Sequence, residues 1–201
     1  MGTMRMDVRP VTLEGQTVRI EPLGLEHAED LYAAAQDPDI WRYMPADPSG
    51  SLEAFRRWIE EALDARAAGA EMPFAIVDRE SGRAVGSTRY LDIHPRDFGL
   101  EIGWTWLARP VRRTRVNTEC KYLLLRHAFE TLGAVRVQLK TDVRNEVSQR
   151  AIARLGAVRE GVLRKQRILE NGYVRDTVLF SIIAEEWPAV KAGLAAKLEA
   201  Q

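Results

Sequence analysis

The sequence predicts an α+β protein, with a central mixed but mostly antiparallel sheet of about seven strands flanked by helices. Three observations carry this reading. Pro73 to Val77 and Ala84 to Ile93 are joined by the polar turn Asp78 to Gly82, and VLRKQRIL and YVRDTVLFSII are joined by Asn171-Gly172. Both pairs read as hairpins, since short runs of strand-forming residues flank residues that tolerate tight turns. Other segments repeat apolar residues at helical spacing instead. Between them, Leu100 to Leu107 reads as a strand feeding an Arg-rich connection, a helix, a second strand and a short helix ending at Leu155-Gly156-Ala157. Alternating elements with antiparallel hairpins predict layers around one sheet.

In chain order, the first residues (MGTMRMD) read as a loose terminus, and Thr17 to Pro22 as the first strand. Leu25, Ala28, Leu31, Tyr32 and Ala35 predict a helix ending before Asp37-Pro38. The loop from Asp37 to Gly50 carries Trp41, Tyr43 and Met44, which either cap the core or wall a binding groove. A second helix runs over Ser51 to Gly69, with Leu52, Phe55, Ile59, Ala62 and Leu63 on one face. Gly103 interrupts the strand Leu100 to Leu107, as glycine does at a bulge or where another backbone comes close. Asn117 is the expected N-cap of a helix starting near Thr118, Glu119 its first-turn acid and Gly133 its left-handed C-terminal cap. Val135 to Asp142 is the next strand. Asn145 then caps a short helix with Ser148 in its first turn. A final amphipathic helix from Glu185 carries Trp187, Val190, Leu194 and Leu198. With 201 residues and no repeat or composition shift, one domain is expected over 1–201, its core over about 15–184 and its last helix over 185–200.

Lys plus Arg equals Asp plus Glu, 29 each, so net charge points to neither a nucleic-acid nor a membrane partner. The single cysteine, Cys120, excludes an intramolecular disulfide framework and fits a reducing cytoplasm. There is no apolar run long enough to span a bilayer and no signal-peptide pattern, so a cytoplasmic location is expected. His27, His94 and His127 lack metal-ligand spacing and an obvious Asp and Ser pairing. No metal is expected. A P-loop and a GxGxxG fingerprint are absent.

The strongest chemical signal is the connection itself, with Arg109, Arg112, Arg113, Arg115, Thr114 and Thr118 just before a helix. A helix start offers unpaired N–H groups and a positive dipole end, and Arg offers bidentate donors to phosphate oxygens. Isolated, such a loop is a solvated basic turn. Between a strand and an amphipathic helix it suits a phosphorylated ligand.

EIGWTWL, the Arg-rich turn, TECKYLLLRHAFETLGAVRVQLKTD and RNEVSQRAIARLGAVREGVL resemble the GNAT superfamily of acetyl-CoA-dependent N-acetyltransferases. Within it the pattern is nearest to the ribosomal-protein N-terminal (alanine) acetyltransferase group, where Asn-x-x-Ser precedes LGA. The resemblance is strongest from Leu100 to Ile183. It implies the GNAT, or acyl-CoA N-acyltransferase, fold, with its fourth and fifth strands splayed apart. The pantetheine arm of acetyl-CoA would add to the backbone of the fourth near Thr105, Trp106 and Leu107. The loop from Arg112 and Arg113 through Thr114, Arg115, Val116, Asn117 and Thr118 would hold the pyrophosphate. It departs from the family, which places glycines where this chain reads RRTRVN, so side chains would replace or supplement the backbone cradle. Asn145 would lie near the cofactor amides and Ser148 near the thioester sulfur.

The implied reaction is direct attack of an amine on acetyl-CoA in a ternary complex, the acceptor being a peptide or protein N-terminus or a small amine. The amine must lose a proton and the thiolate gains one readily, its pKa being ~8.5 on a cysteine scale. Glu101 is the base candidate, Glu160 the second carboxylate and Ser148 the acid. Trp41, Tyr43 and Met44 would line the acceptor groove, and a homodimer is common in this group. Cys120, among helix residues, reads as packing. A non-catalytic acyl-CoA-binding module with a degenerate pyrophosphate loop is the alternative. A nucleic-acid binder would use the same basic turn, against the neutral balance of the chain.

Overall fold

The computed structural model describes residues 5–200. The expected loose terminus falls partly on residues 1–4, outside the described ones. Where it is described, the expectation fails: Met6 is 4% exposed and its N–H donates to Pro95 O at 2.9 Å. An apolar side chain able to reach the core makes the segment part of the fold.

The strands are β1 (Leu13–Glu14), β2 (Val18–Pro22), β3 (Met72–Asp78), β4 (Ala84–His94), β5 (Gly99–Leu107), β6 (Arg136–Asp142), β7 (Val158–Ile168) and β8 (Val174–Ile183). The helices are α1 (Ala28–Ala34), α2 (Leu52–Ala67), α3 (Arg115–Arg126), α4 (Glu146–Ala153) and α5 (Trp187–Glu199). The sheet has eight strands in the order β1-β2-β3-β4-β5-β6-β8-β7. The strand beyond the expected seven is the two-residue β1, too short to show a pattern. All neighbours are antiparallel except β5 and β6.

Side chains alternate across the sheet and separate two cores. On one face Ile20, Phe74, Ile76, Tyr90, Leu100, Ile102, Val137, Leu139 and Phe180 meet α3 and α5, including Leu124, Trp187 and Leu194. On the other, Ala75, Val77, Ala84 and Trp106 meet α1 and α2 through Leu31, Phe55, Trp58 and Ile59. Ser51 caps α2, its hydroxyl accepting from Ala54 N at 3.0 Å. This second core has no member from β6, β7 or β8. That half of the face is left polar.

The start of α3 corrects the expected boundary. Thr114, not Asn117, is the N-cap, its Oγ1 accepting from Val116 N at 3.3 Å, and Asn117 lies within the first turn. Glu119 is not a first-turn acid held by the dipole alone. It is 4% exposed and accepts hydrogen bonds from the N–H groups of Gln16, Thr17 and Val18 at 2.8, 2.7 and 2.9 Å. A Cβ on Gly15 would come within 2.6 Å of the Glu119 carboxyl carbon, so that approach needs glycine. Gly133 does cap the far end, at φ +69°.

Candidate active site

β5 and β6 pair only from Gly99, Leu100 and Glu101 to Arg136, Val137 and Gln138. Past Glu101 they diverge, so the β6 side of β5 has no strand partner from Ile102 to Leu107. This is the expected splay; β1 shifts the count, and it falls between β5 and β6. Because the two strands are parallel, both end at the open side of the wedge, and α3 and α4 begin there. Two helix N-termini thus flank one gap, the kind of crevice in which ligands sit outside the carboxyl ends of parallel strands.

Glu101 stands at the vertex. It is 6% exposed, its Oε2 is 2.8 Å from Lys140 Nζ, and Gln138 Nε2 lies at 3.4 Å. Both partners come from β6, on the polar half of the face. Gly103, expected to mark a bulge or the close approach of another backbone, is instead crowded by side chains: an added Cβ would sit 2.9 Å from Leu91 Cδ2 and 3.0 Å from Glu101 Oε1. The bulge itself is one residue on. Ser87 pairs with Trp106 and Arg89 with Gly103, so Trp104 and Thr105 oppose Thr88 alone, and Trp104 takes φ +50°.

Glu160 is placed otherwise. Gln138 pairs with Ser181 of β8, and Ser181 Oγ donates to Glu160 Oε1 at 2.8 Å. The row that starts at Glu101 runs through Gln138 and Ser181 to Val158, so Glu160 lies two residues off it on β7, three strands away from Glu101. Both Glu160 oxygens accept from Arg136, at 2.6 Å each. That bidentate pair, with the Ser181 bond, lowers the carboxyl pKa to about 2 against the opposing effect of burial. A carboxylate so held is a weak proton acceptor, which counts against the second candidate. Its stabilising contribution is present above the ordinary 4.5 and is lost as pH falls toward 2. Glu160→Gln is expected to flatten the acid limb of the stability curve in that window. The effect at pH 7 is small, because the pair is a third exposed and solvent screens it. Urea unfolding at pH 7 and pH 3 checks this.

The Arg-rich turn divides by partner. Arg112 is tied to the protein, Nη1 lying 2.9 Å from Asp37 Oδ2 and Nε donating to Leu107 O at 2.9 Å. Arg115 donates to Gln16 Oε1 at 2.7 Å. These two guanidinium groups brace the turn, and the Leu107 carbonyl is already occupied. Arg109 and Arg113 are exposed and have no side-chain hydrogen bond or ion pair with a described residue. Arg113 adopts φ +61°. The turn takes a left-handed residue without a glycine, at a cost of about 1–3 kcal/mol. Thr114 Oγ1 donates to Val111 O at 2.7 Å, while Val116 is buried and Asn117 and Thr118 are half-buried.

At the start of α4, Asn145 is the N-cap, accepting from Ser148 N at 3.0 Å. The hydroxyl of Ser148 has no hydrogen-bond partner among the described residues. The expected groove wall needs correction. Trp41 is 4% exposed, donates from Nε1 to Ala35 O at 2.9 Å and packs on Phe55, Trp58 and Trp106, because its loop folds onto α2. Trp106 is likewise a core side chain, so only its backbone faces the wedge. Met44 packs at the edge of the same core, and Tyr43 stands 5.5 Å from the Arg144 guanidinium.

Cys120 is fully buried, and burial raises its thiol to about 11, which suits packing. His27 binds Glu21 at 2.8 Å, His94 binds Asp92 at 3.0 Å and His127 stacks on Tyr90. Among the described residues no group of three or more His, Cys, Asp or Glu side chains is placed to hold a metal ion, and no helix is long and apolar enough to cross a membrane. Lys140, Gln138, Arg136 and Ser181 escaped sequence reading. Only strand pairing brings them beside the two glutamates.

A splayed parallel pair flanked by two helix starts, with a buried carboxylate at its vertex, matches the acyl-transferase architecture that the resemblance implies. The Acetyltransferase (GNAT) domain profile matches residues 17–158. An acetyltransferase crystal structure, provisionally so named, from T. thermophilus is 43% identical, covering 96% of this chain and all of that one, with a TM-score of 0.87. YdaF of Bacillus subtilis, provisionally named a ribosomal N-acetyltransferase, is 33% identical over 87% of this chain and 94% of its own. Mycobacterium smegmatis RimJ, solved in complex with CoA-disulfide, is 21% identical with a TM-score of 0.80 over 94% of this chain and 95% of its own, a likeness of fold. The chain belongs to the GNAT acetyltransferase family, and its enzymatic class is N-acetyltransferase.

Proposed function

We propose that this N-acetyltransferase transfers the acetyl group of acetyl-CoA directly to a primary amine, in a ternary complex built on the β5–β6 wedge. The observation that carries the reading is Glu101, a buried carboxylate at the point where the two parallel strands part. The residues present fit the cofactor: an unpaired strand edge for an amide-bearing arm, and an exposed arginine beside a helix start for its phosphates. Acetyl-CoA, when bound, supplies an activated acyl thioester.

The chain's own residues divide the remaining work. Backbone groups of Thr105, Trp106 and Leu107, other than the Leu107 carbonyl held by Arg112, receive the arm. Arg113 and the first-turn N–H groups of α3, at Val116, Asn117 and Thr118, receive the pyrophosphate. Arg112, Thr114 and Arg115 hold that turn in shape. Glu101 accepts the amine proton, directly or through water. Ser148, with its free hydroxyl, protonates the leaving sulfur, and Asn145 orients the α4 start. The acceptor enters over the polar half of the face, past Tyr43 and Met44, where Asp92 and Glu101 favour a cationic amine. Peptide or protein N-termini and small polyamines are the acceptor classes. A single catalytic domain over 1–201, a cytoplasmic setting and a homodimer complete the reading. The last is supported by the apolar Val158, Val162, Leu163 and Ile168 exposed on the edge strand β7.

Release of CoA thiol over a panel of N-terminal peptides, polyamines and aminoglycosides tests the reaction. Turnover with at least one amine class is expected; acetyl-CoA binding without turnover on any of them would make the protein a binding module. Arg113→Ala is expected to raise the acetyl-CoA Kd about tenfold, the loss of roughly one charge-assisted contact. Its melting temperature should stay near native, since alanine meets the same backbone strain. Calorimetry and thermal unfolding check both.

A further inference from the structure

The bulge in β5 is held from both faces of the sheet, by one buried cation on each. On the α2 face, Arg89 is 5% exposed and its guanidinium sits 4.7 Å from the ring centres of both Trp58 and Trp104. Among the described residues its only ion pair is to Glu71, at 2.7 Å, and its Nε and Nη2 have no partner. On the α3 face, Lys121 is 6% exposed and donates to Thr105 Oγ1 at 2.6 Å, a hydroxyl in turn 2.8 Å from Thr88 Oγ1. Trp104 and Thr105 are the two bulged residues, and Thr88 is the residue they oppose.

Neither cation is fully satisfied where it is buried. A buried charge is costly unless paired and fully hydrogen-bonded, and even a buried ion pair is often replaceable as a whole by apolar side chains. Arg89 keeps two orphaned nitrogens, and Lys121 has a hydroxyl where a carboxylate would neutralise it. What the two share is the bulge. A bulky residue at φ +50° persists only where its surroundings over-determine it. The Arg89 sandwich fixes the Trp104 ring, and Lys121 fixes the next side chain on the opposite face.

We propose that Arg89 and Lys121 are positioning residues that lock the Trp104–Thr105 bulge and so set where the unpaired backbone groups of β5 face the wedge. The link from that backbone to acetyl-CoA rests on the function proposed above; the lock itself does not. Arg89→Met and Lys121→Met keep length and remove charge. Amide hydrogen exchange of the ligand-free variants reads the lock, with Ala108 N–H, bonded to Val85 O at 2.8 Å, as reporter beside Trp106 and Leu107. Exchange there is expected to speed up at least tenfold with β3 amides unchanged, the melting temperature being equal to native or higher for Lys121→Met and lower for Arg89→Met, which leaves Glu71 without its partner. The acetyl-CoA Kd should rise about tenfold while the acceptor KM holds. Arg89→Lys, which keeps the cation between the rings, should recover part of both effects and serves as the test if Arg89→Met does not fold. Exchange at Trp106 to Ala108 within twofold of native would overturn the proposal. So would an equal loss of protection across the whole sheet, the mark of a merely structural role. If the native protein fails to bind acetyl-CoA, the proposed function falls while the exchange data still decide this inference.

Discussion

Replacing Glu101 by glutamine is expected to lower kcat/KM by about 10²–10⁴, the usual contribution of a positioned acid or base. The change keeps shape and hydrogen-bonding capacity and removes the proton acceptor at the wedge vertex. It also removes the nearer of the two carboxylates of Lys140, Glu101 at 2.8 Å, leaving Asp92 at 3.4 Å, so Glu101→Gln with Lys140→Met separates loss of the base from the altered ion pair. Acetyl-CoA affinity should stay within twofold of native in both, because the cofactor contacts lie beyond the vertex. Steady-state kinetics with the best acceptor from the panel checks this. Activity within threefold of native would remove Glu101 from the mechanism.

The largest effect on stability is expected at Glu119, far from the chemistry. Its carboxylate accepts from three successive backbone N–H groups, at Gln16, Thr17 and Val18. Hydrogen bonds to a charged group contribute about 1.5–3 kcal/mol each, and donors left buried without partners add a penalty. Water reaches part of this turn, so Glu119→Ala should cost about 3–4 kcal/mol rather than the full sum. Acetyl-CoA affinity should fall with it, since Gln16 also braces Arg115 at the start of α3. Denaturant unfolding of native and variant protein measures the cost directly. A loss below about 1 kcal/mol would show that the clamp is replaceable by solvent.

The sequence showed local order well and lateral neighbours poorly. The hairpins around Gly82 and Asn171-Gly172, the helices α2 and α5, and the cap at Gly133 follow from periodicity and turn chemistry, which are local properties. The family resemblance added the splay, which no local pattern reveals. The N-cap at Thr114 was missed because Asn117 is also a good cap residue, and only tertiary bonds such as Arg115 to Gln16 decide the register. Of four arginines in the turn, sequence could not tell the free Arg113 from the tied Arg112, whose partner Asp37 is distant in the chain. Trp41 alone reads sooner as core and, with Tyr43 and Met44, as groove wall; the aromatic cluster with Phe55 and Trp58 decides for the core. Sequence alone ranks Glu101 ahead of Glu160, but without the partners that separate them. Strand pairing gives one a lysine at the vertex of a wedge and the other a bidentate arginine.

Titration of acetyl-CoA into isotopically labelled protein, followed through backbone amide resonances, tests the central claim most directly. Saturable shifts at micromolar affinity are expected, concentrated at Glu101 to Leu107, Arg113 to Thr118 and Asn145 to Ser148. These are the three segments that border the β5–β6 wedge. Absent shifts, or shifts confined to the β7–β8 hairpin, would contradict the assignment of the wedge as the acetyl-CoA site.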